Sequence, residues 1–324
     1  LGFVNSEGTG QYGVEESLND RLTGHDGLLK SVTDISGVPL TIGTQNINRP
    51  AKNGDNIALT IDRNIQAYTE KALASGLQKS GATHGSVIVM DPQSGKVMAM
   101  ANLPTYKPAE FTKVTDAEAF NNSVITKPYE PGSDIKTFTV ATGLDKGVIQ
   151  PTSTYVNTDK ITVEDRTITN ATKGETGTIT MQTALNYSLN TGMVTVAQRL
   201  GDGNNITQGA RNSLYDYFHN RFGFGQKTGI ELAGEQGGIV IAPDQAVGNA
   251  ARYSNMTFGQ GMDLTMIQVA SAFGALVNGG TYYYPTVIAG TVNDDGELTA
   301  DTPKAPRTGV ISADTSSKIH EMIH

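Results

Sequence analysis

The sequence predicts an α+β fold in which helices pack against an antiparallel sheet. Residues 85–90 and 96–101 are apolar and rich in β-forming residues, and the turn residues between them predict a hairpin. Residues 133–146 follow a Pro-Gly turn and predict a helix that ends at Gly147. A helix of this kind next to a hairpin is typical of a domain whose sheet is covered by helices.

The first 50 residues are rich in Gly, Asn and Thr and predict little regular structure. One helix is predicted over residues 14–22, with β-like runs over residues 28–35 and 40–47. So few elements cannot bury a core of their own, and we interpret this part as the end of a module that extends further N-terminally. Because the chain begins at Leu1 rather than at a methionine, we interpret it as an excised fragment.

The remaining elements are predicted from hydrophobic periodicity and from capping residues. Asp62 is a good N-cap for a helix that extends to about residue 77, after a strand-like run over residues 57–61. The later segments are a Thr-rich β-hairpin region (152–172), helices (181–187, 191–200, 206–222 and 264–277), a strand (282–290), a turn (293–296) and a last helix (313–323).

Composition and charge exclude several classes of function. The 324 residues carry a net charge of −8, and an isoelectric point near 5.1 argues against a nucleic-acid partner, which would need a basic surface. The chain has no cysteine, which excludes disulfides, iron–sulfur clusters and thiolate zinc sites. No window reaches the roughly 20 apolar residues that a membrane span requires.

Two short motifs carry the candidate chemistry. Ser133 is predicted in the first turn of its helix, and Lys136 lies on the same face, within reach of the serine hydroxyl. A serine becomes a nucleophile when a neighbouring base accepts its proton, and a lysine is that base only if its pKa is lowered. Ser188 and Asn190 form a second motif, in which Asn190 could simply be the N-cap of the next helix. S-x-x-K alone is a weak signal, and its combination with S-x-N is more specific.

These motifs stand among other lines that resemble one family in order and spacing. The combination resembles the class B penicillin-binding proteins, the serine D,D-transpeptidases of peptidoglycan synthesis, over residues 55–324. The lines that carry this resemblance besides the two motifs are Leu59-Thr60-Ile61-Asp62, Val89-Met90-Asp91-Pro92, Phe222-Gly223-Phe224-Gly225, Thr228-Gly229-Ile230-Glu231-Leu232, Phe258-Gly259-Gln260-Gly261 and Asn278-Gly279-Gly280.

The resemblance implies roles for the four motif residues. Ser133 would attack a D-alanyl-D-alanine stem peptide and form an acyl-enzyme, and Lys136 would be the base for that attack. Ser188 would pass a proton to the leaving amine, and Asn190 would hold the backbone amide of the substrate. A β-lactam would be trapped as an ester on the same serine. No cofactor and no metal are implied.

The resemblance also implies a domain division and a location. Residues 1–52 would end a β-rich, non-catalytic pedestal domain, and residues 53–324 would form a transpeptidase domain of the penicillin-binding fold. The full-length protein would work on the extracytoplasmic face of the bacterial membrane, with an N-terminal anchor and a membrane glycosyltransferase as partner. The family has a third motif, K-T-G, on a strand after a helix like 313–323. The 324 residues hold none there, so we expect them to be impaired as an enzyme.

Several features are interpreted as decoys. Lys227-Thr228-Gly229 comes too early in the chain to be the third motif, and His320-Glu321-Met322-Ile323-His324 matches a zinc motif with no third ligand after it. Asp134 is expected to complement the helix dipole rather than to raise the pKa of Lys136. Glu130 is interpreted as a solvated loop charge.

Two alternative functions stay open. A serine β-lactamase shares the Ser/Lys pair but would need a base that activates water, and the pedestal remnant argues against it. A non-catalytic scaffold of a wall-synthesis complex agrees with the missing third motif but not with the four intact motif residues.

Overall fold

The structure, a computed structural model, describes residues 1–30 and 47–324. Its α-helices are α1 (Gly13–Ser17), α2 (Asn19–Leu22), α3 (Arg63–Ser80), α4 (Ser123–Thr126), α5 (Ile135–Asp145), α6 (Met181–Asn186), α7 (Asn190–Leu200), α8 (Gln208–Tyr215), α9 (Ala250–Met256), α10 (Met266–Val277) and α11 (Ala313–Met322). Short 3-10 turns cover Pro108–Lys113, Ala117–Phe120 and Gly132–Asp134, and a π-helical turn covers Asp216–Arg221.

The strands are short and pair antiparallel. They are β1 (Phe3–Val4), β2 (Gly10–Gln11), β3 (Leu28–Lys30), β4 (Ile47–Arg49), β5 (Asn56–Leu59), β6 (Gly85–Met90), β7 (Val97–Leu103), β8 (Thr154–Asn157), β9 (Lys160–Val163), β10 (Arg166–Thr169), β11 (Gly177–Thr180), β12 (Ile288–Val292) and β13 (Leu298–Ala300). Most of the two predicted β-like runs, 28–35 and 40–47, lies outside the described residues.

Two groups of strands are connected, and the predicted hairpin is one of them. One is a sheet in the order β13-β12-β5, and the other is the hairpin of β6 and β7, in which Gly85 lies opposite Leu103. A backbone hydrogen bond from Val97 N to Thr286 O, 2.9 Å long, connects the groups. Helices α3 and α10 pack against this hairpin. The predicted α+β fold, an antiparallel sheet packed by helices, is therefore confirmed.

Helix α3 shows how the sequence determines one of these elements. Asp62 has an extended backbone, and its carboxylate accepts hydrogen bonds from Asn64 N at 2.8 Å and Ile65 N at 3.0 Å. This satisfies two of the amide groups that have no partner at a helix start. The helix ends at Ser80 and is followed by Gly81, whose φ of 72° is left-handed. The predicted cap is confirmed, and the helix extends three residues beyond the predicted end.

The larger hydrophobic cluster surrounds α5, whose residues from Ile135 to Leu144 are nearly all buried. The ring of Phe138 meets those of Phe222 and Phe224 edge to face, with centroid distances of 5.2 and 5.0 Å. Such pairs contribute roughly 0.5–1.5 kcal/mol each beyond their buried area. This packing fixes the orientation of α5 and of the turn that precedes it.

Some element boundaries differ from the predictions. The predicted helix over 14–22 is divided into α1 and α2, and the one over 206–222 continues after α8 as the π-helical turn. The predicted strand over 282–290 begins only at Ile288, because Tyr282 and Thr286 make isolated bridges to other segments. Helix α9 was missed, because its seven residues carry no apolar stripe long enough to predict a helix.

The N-terminal segment packs closely on the rest of the chain. Val14 is buried in a second hydrophobic cluster with Val97 and Ile267. Arg21 donates to Asp301 at 2.8 Å and to Thr291 at 2.7 Å. The domain boundary at residue 52 stays a prediction. No helix within residues 1–30 and 47–324 combines the length and apolar character that crossing a membrane requires.

Candidate active site

Ser133 lies in an exposed 3-10 turn rather than in the first turn of an α-helix, because α5 begins two residues later. Gly132, with a φ of 63°, donates its amide to Gly259 O at 3.0 Å. The two backbones approach so closely that a Cβ on Gly259 would lie 2.0 Å from Gly132 O. Gly259 therefore has to be a glycine, and its loop supports the turn that carries Ser133.

Further contacts hold the chain just before and just after this turn. Tyr129 and Leu264 exchange two backbone hydrogen bonds of 2.9 Å, and Gly261 N donates to the carboxylate of Glu130 at 2.7 Å. Glu130 is an exposed loop residue, as its interpretation as a solvated charge predicted, and its carboxylate also anchors the neighbouring loop. The hydroxyl of Thr139 donates to Thr257 O at 2.8 Å from within α5.

The amine of Lys136 points toward the second motif. Lys136 is 3% exposed and donates to Ser188 O at 2.5 Å and to Ser188 Oγ at 2.9 Å. Burial lowers the pKa of Lys136 to about 8, because removal from water disfavours the charged amine. Asp134 does not contribute to this shift. A lysine with this pKa has a sizeable neutral fraction near neutral pH and can accept a proton.

Ser188 and Asn190 are held at the start of α7. Ser188 has a φ of 54°, an uncommon left-handed conformation for a serine, and Leu189 beside it is fully buried. The side-chain amide of Asn190 donates to Thr169 O at 2.9 Å. The alternative role of Asn190 as the N-cap of α7 was wrong, since the helix begins at Asn190 itself and Leu189 precedes it.

Three of the four predicted site residues line one cavity of about 530 Å³: Ser133, Lys136 and Ser188. Asn190 is not among the lining residues, because its amide is directed to Thr169. The remaining lining residues come mainly from α6 (Gln182, Leu185 and Asn186) and from the end of α11 with the residues after it, 321–324. No strand among residues 47–324 borders this cavity.

Of the decoy motifs, Lys227-Thr228-Gly229 does not line the cavity, whereas residues 321–324 of the histidine motif do. Thr228 N and Oγ1 both donate to Glu235 at 2.6 Å, and Gly229 N donates to it at 3.0 Å. The Lys227-Thr228-Gly229 segment is thus a loop held by a buried carboxylate, as its interpretation as a structural loop predicted. The rings of His320 and His324 lie 4.6 Å apart between centroids, and residues 1–30 and 47–324 contain no group of three potential metal ligands.

Comparison with known proteins agrees with this geometry. The sequence model of the family described as "Penicillin binding protein transpeptidase domain" matches residues 85–324. The chain is 29% identical to penicillin-binding protein PbpB of Mycobacterium tuberculosis, covering 100% of this chain and 46% of that protein. It is 30% identical to stage V sporulation protein D of Bacillus subtilis, covering 98% and 48%. The chain thus spans about half the length of these relatives.

Solved structures give the same result. The crystal structure of penicillin-binding protein 3 from Mycobacterium tuberculosis superimposes with a TM-score of 0.84 at 28% identity, covering 99% of this chain and 65% of that one. That protein has also been solved in complexes with aztreonam and ampicillin. The family match covers well over half of the chain, and the fold agrees along nearly all of it. The chain therefore belongs to the transpeptidase-domain family of the penicillin-binding proteins.

Proposed function

We propose that this chain carries the acyl-transfer site of a peptidoglycan D,D-transpeptidase that β-lactams inactivate. One observation carries the proposal: the amine of Lys136, with its lowered pKa, is buried one turn after Ser133 and within hydrogen-bond distance of Ser188 Oγ. A base, a nucleophile and a proton carrier in one cavity are what serine acyl transfer requires.

The first half of the reaction forms an ester. Neutral Lys136 accepts the proton of the Ser133 hydroxyl while Ser133 Oγ attacks the carbonyl carbon of the penultimate D-alanine. The resulting tetrahedral intermediate collapses when its C–N bond breaks. The leaving amine of the last D-alanine takes a proton through Ser188, whose hydroxyl can donate and accept at once. The products are an acyl-enzyme and free D-alanine.

The second half transfers the acyl group. The amine of another stem peptide attacks the ester carbonyl, its proton returns through the same groups, and Ser133 is released as a hydroxyl. In a β-lactam, the amine that leaves the acyl carbon stays tethered to it, so the ester on Ser133 persists. Asn190 would hold the backbone amide of the bound peptide with the groups that its bond to Thr169 leaves free.

Location and partners extend the proposal to the whole protein. Because the proposed substrate is a stem peptide of the cell wall, we propose that the site works on the extracytoplasmic face of the bacterial membrane. The full-length protein would reach that face through an N-terminal anchor and would act beside a membrane glycosyltransferase that supplies the glycan strands. No cofactor is needed for serine acyl transfer of this kind.

We further propose that residues 1–324 acylate slowly when produced alone. Oxyanion stabilisation in acyl transfer needs preorganised donors, and losing one donor costs about 10²–10³-fold in rate. In the described part of the chain, no strand lines the cavity that holds Ser133, so no strand supplies such a donor from its backbone. Acylation as fast as that of the full-length protein would contradict this.

A fluorescent penicillin tests the proposal on the full-length protein. Stable labelling that Ser133→Ala abolishes supports the transpeptidase. Labelling followed by rapid release of hydrolysed drug would instead indicate a β-lactamase. No labelling of the wild type would indicate a non-catalytic scaffold. Release of D-alanine from a synthetic stem peptide, measured with the same two proteins, tests the substrate class.

A further inference from the structure

A buried polar network lies behind the Ser188–Asn190 segment, and no step of the proposed reaction uses it. Asn157, Asn170 and Thr191 are 1%, 3% and 2% exposed. Buried amides and hydroxyls are expensive unless they are hydrogen-bonded, and here they bond mainly to one another. The network joins the β8–β11 region to the first turn of α7.

The start of α7 is capped by a residue from another element. The side chain of the residue that precedes the helix makes no bond to its free amides. Instead, Asn170 Oδ1 accepts a hydrogen bond from Thr191 N at 3.0 Å. Thr169, the residue before Asn170, also contacts the second motif: Asn190 Nδ2 donates to Thr169 O at 2.9 Å. Residues 169–170 therefore hold both of the first two residues of α7.

Asn170 is itself held by the rest of the network. Its Nδ2 donates to Asn157 Oδ1 and to Asp159 Oδ1, both at 3.2 Å. Asn157 Oδ1 also accepts from Thr191 Oγ1 at 2.9 Å. The two asparagines together therefore accept hydrogen bonds from the amide and from the hydroxyl of Thr191. Both polar atoms of the Asn170 side chain are thus committed, and its rotamer is fixed.

We propose that Asn170 is a positioning residue for acyl transfer, which acts through the first turn of α7 to fix Ser188 and Asn190. Ser188 Oγ lies 2.9 Å from the Lys136 amine, on a residue with a left-handed backbone. A small rotation of the first turn of α7 would lengthen this bond and turn the Asn190 amide away from Thr169. This inference rests on the proposed function.

The test uses the full-length protein and a fluorescent penicillin, with the acylation rate constant at saturation measured separately from the dissociation constant of the initial complex. Asn170→Ala is expected to slow acylation about tenfold, the equivalent of one lost helix cap, with affinity nearly unchanged. Asp62→Ala is the matched control: it removes the cap of α3, which packs on β6 and β7, and is expected to acylate at the wild-type rate.

A charge exchange separates positioning from folding. Asn170→Asp keeps the oxygen that accepts from Thr191 N but places a carboxylate oxygen against both Asp159 and Asn157 Oδ1, so slow acylation is expected. Adding Asp159→Asn restores a donor opposite the new carboxylate on the Asp159 side, and the double variant is expected to recover part of the rate. This pair decides the case if Asn170→Ala does not fold, as judged by thermal unfolding.

The possible outcomes distinguish failure of the proposed function from failure of the positioning role. If wild-type protein is not labelled, the proposed function fails and this inference fails with it. If wild type is labelled but Asn170→Ala acylates as fast as Asp62→Ala, or the double variant shows no recovery over Asn170→Asp, the positioning role alone is overturned.

Discussion

The close approach of Gly259 to Gly132 gives the sharpest prediction from this structure. Gly259→Ala places a Cβ 2.0 Å from Gly132 O, whereas real Cβ atoms keep at least 3.0 Å from other heavy atoms. The Gly259 loop and the turn before Ser133 must therefore move apart by about 1 Å. The new side chain also sits at a φ of 81°, where an L-residue costs roughly 1–2 kcal/mol.

The expected effect on activity follows from the position of the moved atoms. A misplacement of about 1 Å near a reacting group can cost on the order of 10²-fold in rate. We therefore expect acylation of Ser133 by a fluorescent penicillin to fall by ~10²-fold in Gly259→Ala. The rate is measured by stopping the reaction at timed intervals and quantifying the labelled protein. A thermal unfolding curve on the same sample shows how much folded protein is present.

A matched glycine isolates the close approach from the backbone conformation. Gly296 has a φ of 84°, and a Cβ added to it would meet no heavy atom within 4 Å, so Gly296→Ala carries the conformational cost without the clash. It lies in the turn between β12 and β13. The two variants are expected to lose similar stability from backbone strain, and only Gly259→Ala should lose acylation. Equal acylation rates in both variants would refute the reasoning.

Three further predictions concern single groups. The acylation rate should increase as pH rises through about 8 and then level off, because Lys136 must be neutral to accept a proton. Initial labelling rates across about pH 6–10 give this profile. A flat profile would exclude Lys136 as the base. Ser188→Ala should slow acylation by ~10²-fold with unchanged penicillin affinity, measured as rate and dissociation constant. Burial alone would raise the pKa of Asp145, but hydrogen bonds, first that from Tyr217, lower it. The ionised carboxylate of Asp145 therefore stabilises the fold above about pH 4, and the wild type loses this stability as pH falls through the folded pKa of Asp145. Asp145→Asn should lower the free energy of unfolding above about pH 4, as measured by urea unfolding.

The sequence predicted the elements whose signal is local. The hairpin of β6 and β7 has its turn residues between two apolar runs, and α3 has Asp62 at its start, so both were placed nearly correctly. The elements that tertiary contacts decide were misplaced. Residues 282–287 have the composition of a strand, but Tyr282 pairs with Arg307 and Thr286 with Lys96, so the regular strand begins later. No local propensity reveals such long-range pairing.

The candidate site also has a part that the sequence predicted and a part that it did not, and the difference has a physical cause. The spacing of Ser133 and Lys136 is local, so one helical turn is enough to predict that they share a face. The contacts that hold the two motifs are not local. Gly259 supports the turn that carries Ser133, and Asn170 caps the helix of the second motif. Neither residue carries chemistry, and each is recognisable only by a backbone distance or by a hydrogen bond across elements. A glycine with a left-handed φ and a buried asparagine are ordinary in any sequence. Their importance would lie in the groups beside them, Ser133 and the Ser188–Asn190 segment, so substitutions at these two positions test how the proposed site is held in place.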